Sequence, residues 1–432
     1  MASLQRKHWE AQFEGMSRRD RQGCDYDAYL ADPLAGWDLV IPGDVAADIA
    51  DAEVAIRLLN DAGTTHVSLE GLARFLLRAE SVASSRIEGL AAGTGRLVQA
   101  EVALNRGDDA GDQVAVEVLG NIAAMESAIE LASRSTEFDR DDLLSIHRTL
   151  MERSPTPELG GMVRTEQNWI GGSSYNPCSA AFVPPPPELV DDLLADLLDY
   201  VNGDDHSPLV QAALAHAQFE TIHPFADGNG RTGRALIHVV LRRRGLAPAF
   251  VPPISLVLAT WADTYVAGLT GFRHLTDADS PDRSTAAADS LRLFATATNR
   301  ACLDAERYAD QIDAMTADWR SRLGAVRANS GIDRLLQVLP GAPVVSVESA
   351  SALIDRSKAR TTDAVNALAE AGILRQRNVG KQRYRVFEAT DVLTLFNGQE
   401  RALASPTGNT MTAAPTRSVP ERANNDSASG GV

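Results

Sequence analysis

The 432-residue chain carries 41 Lys and Arg against 58 Asp and Glu, a net charge of −17, with 44% hydrophobic and 23% charged residues. That length exceeds one hydrophobic core, so two or three domains are expected, and the acidic balance disfavours wholesale attraction to nucleic acid or anionic membrane. Three dispersed cysteines (Cys24, Cys178, Cys302) read as reduced thiols, and with no apolar signal core after Met1 and no long apolar run they point to a cytoplasmic protein without membrane contact.

The opening stretch to Gly43 is polar and mixed. From Asp44, Val45, Ile49, Val54, Ile56, Leu58 and Leu59 recur at helical intervals, and a second helix is expected over Ser68–Ser85 with Leu72, Phe75, Leu76 and Ala79 on one face. Further helices are expected over Gln113–Arg134 and Asp139–Met151. The glycine-bounded alternation from Gly160 to Gly172, closed by Pro184–Pro187, reads as a hairpin or flap. A helix striped by Leu189, Leu193, Leu194, Leu197 and Val201 follows. Pro208–Ile222 is apolar nearly all round, which marks a buried central helix. Arg231–Arg244 is helical again, and helices continue to Arg327.

Between Ile332 and Phe387 the pattern changes to two short helices (346–355 and 357–371) and two alternating strands around Asn378, Val379 and Gly380. That reads as a helix-turn-helix with a wing. From Asp333 to Thr390 nine Lys or Arg stand against six Asp or Glu. Arg356, Lys358, Arg360, Arg375, Arg377, Lys381, Arg383 and Arg385 lie on the second helix and wing, a layout that suits DNA phosphates. Past Ala404 the polar tail is expected to be disordered.

The segment His223–Arg234 (HPFADGNGRTGR) concentrates the chemistry. A loop entering a helix N-terminus offers free N–H groups and the positive end of the helix dipole. Gly228 and Gly230 let backbone approach an anion, and Arg231 and Arg234 at i and i+3 can grip phosphate oxygens. Asp227 supplies the hard oxygen that phosphate-bound Mg²⁺ prefers, and His223 suits proton removal from a hydroxyl near neutral pH. Each feature alone reads blandly, as a turn, a structural histidine or a solvated helix face; their conjunction does not.

This segment resembles the Fic (Fido) family signature, His-x-Phe-x-Asp/Glu-Gly-Asn-Gly-Arg-x-x-Arg, at every defining position. The resemblance implies a mainly α protein: a helical Fic core with a β-hairpin flap, plus a small C-terminal winged helix-turn-helix domain. The expected layout is an N-terminal helical region at 1–135 and the Fic core at 136–290. Connecting helices at 291–330, the winged helix at 331–392 and the tail at 400–432 complete it. The implied activity is that of a protein adenylyltransferase, with His223 as general base on a target Ser, Thr or Tyr hydroxyl, ATP as substrate and Mg²⁺ on Asp227. Phe225, Ala226, Asp227, Gly228, Asn229, Gly230, Arg231 and Arg234 would bind the nucleotide, with Gln218, Thr260 and Tyr265. Relatives often carry an Asn and paired Tyr where this chain has Thr260, Thr264 and Tyr265, which leaves the base preference open. Gln167, Trp169 and Ile170 fall on the flap that aligns the target backbone in the family; packing on the core is an equal reading for Trp169 and Ile170.

Ser84, Glu88 and Gly89 resemble the family's inhibitory motif, Ser/Thr-x-x-x-Glu-Gly/Asn. The implied brake is a carboxylate on Arg234 that takes the place of the γ-phosphate. The same glutamate could instead support AMP removal. Other readings stay open: transfer of UMP or phosphate, and a DNA-binding regulator with a nucleotide-sensing site. Self-modification, a homodimer and DNA contact through the winged helix are further partners that the resemblance leaves open.

Overall fold

The computed structural model describes residues 2–11, 17–62, 69–105, 107–134, 137–275, 281–377 and 385–403. It is mainly helical. The opening stretch differs from the expected helical region. Strands β1 (Ser3–Trp9) and β2 (Cys24–Leu30) pair antiparallel, Ser3 opposite Leu30 and Trp9 opposite Cys24. The cause is a short alternation in β2, where Tyr26 and Ala28 turn inward while Asp25 and Asp27 face solvent; seven residues of it are easily lost in a polar stretch.

Helices α1 (Gly43–Ala62), α2 (Leu69–Ile87), α3 (Thr94–Leu104) and α4 (Gln113–Arg134) follow. Next come α5 (Arg140–Met151), started by a reciprocal cap between Asp139 and Asp142, and α6 (Val190–Asn202). The core centres on α7 (Pro208–Ile222) and α8 (Asn229–Arg243), which pack on each other and carry mostly buried residues. Proline at the first turn of α7 loses no helical bond there, and its all-round apolar surface is covered on every side. Around this pair lie α9 (Ile254–Thr260), α10 (Ala262–Phe272) and α11 (Pro281–Leu323). Helix α11 is one 43-residue rod packed along α1, where several connecting helices are expected from sequence.

The C-terminal segment comprises α12 (Gly331–Val338), β3 (Val344–Ser346), α13 (Val347–Leu353) and α14 (Lys358–Glu370). Strands β4 (Arg375–Gln376) and β5 (Val386–Glu388) complete a three-stranded sheet in the order β3-β5-β4, before α15 (Thr390–Leu403). Lys381 and Arg383 of the expected wing, and the tail beyond residue 403, lie outside the described residues. This segment shares one hydrophobic core with the helices before it. Phe396 stacks on Phe75 of α2 at 4.4 Å, and a Cβ on Gly341 would fall 1.9 Å from Cβ of Arg74. Four of its cations have side-chain partners within it. Arg375 and Arg377 both pair with buried Glu388, Lys358 pairs with Glu348, and Arg385 donates to Asn366.

The flap is looser than a β-hairpin. Residues 160–187 hold turns and single 3₁₀ turns, closed by one bridge between Ile170 and Phe182. The thiol expectation needs correction. Cys24 at the start of β2 and Cys178 in the flap region form a disulfide, with Cα atoms 5.7 Å apart across 154 residues, while Cys302 is buried and free. The fold lays β2 against the turn at Pro177–Ser179, and a pairing over that separation has no local signature. The disulfide removes the cysteine argument for a reducing compartment. No described helix is long and apolar enough to cross a membrane.

Candidate active site

The central helices meet at a turn that begins on His223 itself. His223 caps α7 with φ 51° and ψ 59°, a left-handed conformation that costs a non-glycine residue about 1 kcal/mol or more. Gly228 caps the N-terminus of α8 at φ 78°, and a side chain there would also press on Leu150 and His147. The next residue, Asn229, closes the turn. Its Oδ1 accepts from the Phe225 amide and its Nδ2 donates to the Phe225 carbonyl, both at 2.8 Å. Asn229 is therefore spent on the turn, and Phe225 is buried, stacked on His147 at 3.7 Å.

His147 accepts from the Gly161 amide at Nδ1 and so donates from Nε2 to the Asp227 carbonyl, each at 3.0 Å. Burial pushes this imidazole down to about 4, which keeps it neutral. Two flap residues hold the other carbonyls. Arg164 donates to the carbonyls of His223, Ile222, Glu166 and Pro185, and Asn168 donates to those of His223 and Phe225. His147, Arg164 and Asn168 were not singled out in the sequence because backbone carbonyls, their acceptors, leave no trace in it.

What remains free in the turn suits a polyanion. The Nε and Nη1 groups of Arg231 are buried without hydrogen-bond partners, and the residue is 3% exposed. Its nearest carboxylates, Asp227 and Glu117, stand 3.7 and 3.9 Å away. A buried guanidinium with idle donors is costly unless an anion completes it. Asp227 accepts from the Gly228 amide at 2.6 Å while half its side chain stays in solvent. One exposed carboxylate beside a phosphate cradle fits Mg²⁺, which takes few protein ligands and keeps substrate phosphates and water for the rest.

The third feature is the contact between Arg234 and α2. Arg234 donates to Ser84 Oγ and Ser84 carbonyl, each at 2.9 Å, and to Glu88 Oε1 at 2.7 Å. Glu88 lies just past α2 and covers the first turn of α8 so closely that a Cβ on Gly230 would lie 1.9 Å from Oε1. Burial alone would raise the Glu88 carboxyl, but Arg234, with Arg231 and His223, outweighs it and holds the group below its ordinary value. Helix α2 is itself lashed down. Glu80 is fully buried and receives bonds from His238 of α8 and from the Ser255 amide and hydroxyl of α9, while Asn121 of α4 donates to Ser81 and Ser85. Glu80→Ala leaves three buried donors unpaired and is expected to cost about 3 kcal/mol or more in urea denaturation.

The remaining sequence candidates divide. Tyr265 is buried, its hydroxyl 2.7 Å from His216 Nε2, and its charge environment includes Arg234, Glu220 and Glu88. Thr260 returns its hydroxyl to the Leu256 carbonyl, and Gln218 donates to the Asp32 carbonyl of the N-terminal segment. Gly89 ends the α2 turn, its amide bonded to the Arg86 carbonyl. Ala226 is exposed in the turn. Gln167 donates within the flap to Pro184, and Ile170 spends its amide and carbonyl on residues 181 and 182. Trp169 donates to the Ser173 carbonyl and packs edge-on against Trp9 of β1.

Residues 137–241 match the Fic/DOC family, and residues 46–130 match the Fic/DOC family N-terminal region. Protein adenylyltransferase fic-1 of Caenorhabditis briggsae is 33% identical over 162 residues, 36% of this chain and 30% of that protein. Protein adenylyltransferase Fic of Drosophila willistoni is 34% identical over 139 residues, 32% of this chain and 26% of that protein. The chain thus spans less than a third of the length of these curated relatives. Among solved structures, a Fic family protein from Desulfovibrio desulfuricans G20 aligns over 83% of this chain and 98% of its own, at 21% identity and TM-score 0.48. The turn from His223 to Arg234 lies inside the region 137–241 that matches the Fic/DOC family.

Proposed function

We propose that the chain is a protein adenylyltransferase that moves AMP from ATP to a Ser, Thr or Tyr hydroxyl of a target protein, and that Glu88 restrains it. The observation that carries the proposal is the turn from His223 to Arg234, in which Arg231 keeps buried donors without partners and the last arginine is held by the carboxylate of Glu88, just past α2. In this reading the Gly228–Gly230 amides and Arg231 bind the α- and β-phosphates, and Arg234 takes the γ-phosphate once Glu88 withdraws. Asp227 would hold Mg²⁺, which supplies charge neutralisation on the phosphates when bound.

The chemistry follows from these positions. The target oxygen forms a bond to Pα, the Pα–O bond to pyrophosphate breaks, and the hydroxyl proton passes to the His223 ring. Positioning and fixed electrostatics do most of the work, because the cradle is preset before nucleotide arrives. The flap's own backbone bonds at Ile170 leave less of it open for strand addition than the family pattern implies. In the C-terminal segment Arg375 and Arg377 pair with Glu388 and Lys358 pairs with Glu348, which leaves these three less available to a phosphate-binding face. We propose the cytoplasm, one pool that supplies ATP, as the compartment; the Cys24–Cys178 bond would there be open to reduction.

Incubation of the Glu88→Gly chain with ATP labelled at the α- or at the γ-phosphate tests the group moved. Label retained from the α position alone supports AMP transfer. Label retained from the γ position instead would make it a phosphotransferase.

A further inference from the structure

The catalytic turn leaves one buried acid unaccounted for. Glu220 sits on the last turn of α7, three residues before His223, with its side chain only 8% exposed. Its Oε1 has no hydrogen-bond partner, and neither does the buried Nδ1 of His223. The two groups face each other: Nδ1 and Glu220 Oε2 are 3.9 Å apart. The His223 side chain keeps 19% of its surface, so with Nδ1 shut inside, the exposed part of the ring is its other edge.

The neighbouring helix is built to admit this carboxyl. On α8, a Cβ at Gly233 would stand 2.7 Å from Glu220 Oε1. Any side chain there would push into the carboxyl. An unpaired carboxyl inside a core costs stability, so its presence calls for a use or a compensating field. The groups around it are Arg234 of α8, Glu88 from the end of α2, and Tyr265 of α10 with Arg273 just past it. His216 is its neighbour on α7, a turn before it and also against Gly233. Arg273 lies flat on Phe182 of the flap at 3.6 Å and donates to the Glu220 carbonyl, not to its carboxyl. None of these bonds Oε1; His216 Nδ1, also without a partner, lies beside Gly233 on the Oε1 side, and His223 Nδ1 is the ring nitrogen within ion-pair distance of the carboxyl, 3.9 Å from Oε2.

We infer that Glu220 is the positioning residue for His223: its carboxylate holds the ring proton on Nδ1, leaves Nε2 as the base, and balances the imidazolium formed when the hydroxyl proton is taken. The inference rests on the AMP-transfer reading for its rate consequences, and on geometry alone for the pairing. Proton accounting is closed. The target O–H proton moves to Nε2, Nδ1–H stays with Glu220, and the proton leaves Nε2 to water once pyrophosphate has gone. The separation of 3.9 Å is an ion-pair distance that shortens when the ring becomes charged.

The test uses the full chain carrying Glu88→Gly, with Glu220→Gln and Glu220→Asp added singly. Glu220→Gln keeps the shape and removes the charge, and a thermal melt checks that it folds. Expected is a fall in kcat for self-labelling of about 100-fold, with the KM for ATP within about twofold, since the phosphate grips are untouched. Burial raises Glu220 to about 7, so the parent rate is expected to rise with pH through neutrality as the carboxyl ionises. Glu220→Gln loses that rise and Glu220→Asp keeps it. Independently of activity, nitrogen NMR of the imidazole at pH 8 is expected to show Nδ1–H for His223 in the parent and a mixture in Glu220→Gln. Unchanged kcat, pH profile and tautomer in Glu220→Gln overturn the inference. If the parent fails to label at all while the tautomer still follows Glu220, the AMP-transfer reading falls and the pairing stands.

Discussion

Glu88→Gly is expected to raise AMP labelling of the chain by about tenfold to a hundredfold, which corresponds to the 1.5–3 kcal/mol of a charged hydrogen bond that nucleotide no longer has to displace. The carboxylate now competes in two ways. It bonds Arg234 at 2.7 Å, and it stands directly over Gly230 in the first turn of α8. Both places are those a triphosphate would use. Because Arg234 keeps its bonds to Ser84 and the Glu88 side chain is 37% exposed, the loss of folding stability is expected to be smaller than that of Glu80→Ala. A large rate effect with a small stability effect separates this residue from Glu80, whose loss unfolds more than it activates. Initial labelling rates beside urea denaturation of both variants measure the contrast.

His223→Ala in the same background is expected to lower labelling by at least about 100-fold, the lower bound for losing a positioned general base. ATP binding should survive. The ring bonds none of the turn's carbonyls; the His223 carbonyl is held by Arg164 and Asn168, and those bonds remain when the side chain is cut to a methyl group. Calorimetric titration of ATP into the double variant, set against its labelling rate, distinguishes a lost base from a collapsed cradle.

These effects were legible in the sequence to different depths. The turn from His223 to Arg234 is contiguous, and each of its residue types has one main chemical reading. Helices α7 and α8 announce themselves by apolar surface and by punctuation at both ends. The pairing of Glu88 with Arg234 spans 146 residues and could be expected only because a second short motif resembles a known partner. Glu220 sits beside the motif, yet helical spacing alone makes it an ordinary acid; only the fold shows its carboxyl shut in by Gly233 and 3.9 Å from His223 Nδ1.

Other features could not have been read. The β1–β2 hairpin hides in a polar stretch, and its disulfide to Cys178 joins segments 154 residues apart. The hairpin also explains Trp169. From sequence the indole could equally face a target or the core, and here it packs on Trp9, while Ser173 and Asn176 bond Asp20 and its neighbour. Likewise Arg164 and Asn168 act on backbone carbonyls, so only the folded turn reveals them. Near the C-terminus the sequence displays the basic residues but not that Arg375 and Arg377 share Glu388 of β5.

The central claim is that the turn moves AMP and that Glu88 holds it back. Intact mass spectrometry of the purified Glu88→Gly chain after incubation with ATP and Mg²⁺ tests it most directly, with the unaltered chain and the Glu88→Gly/His223→Ala chain beside it. The expected result is an added AMP mass on the first, little on the second and none on the third. Equal AMP on all three, or none on Glu88→Gly while ATP binds, would contradict it.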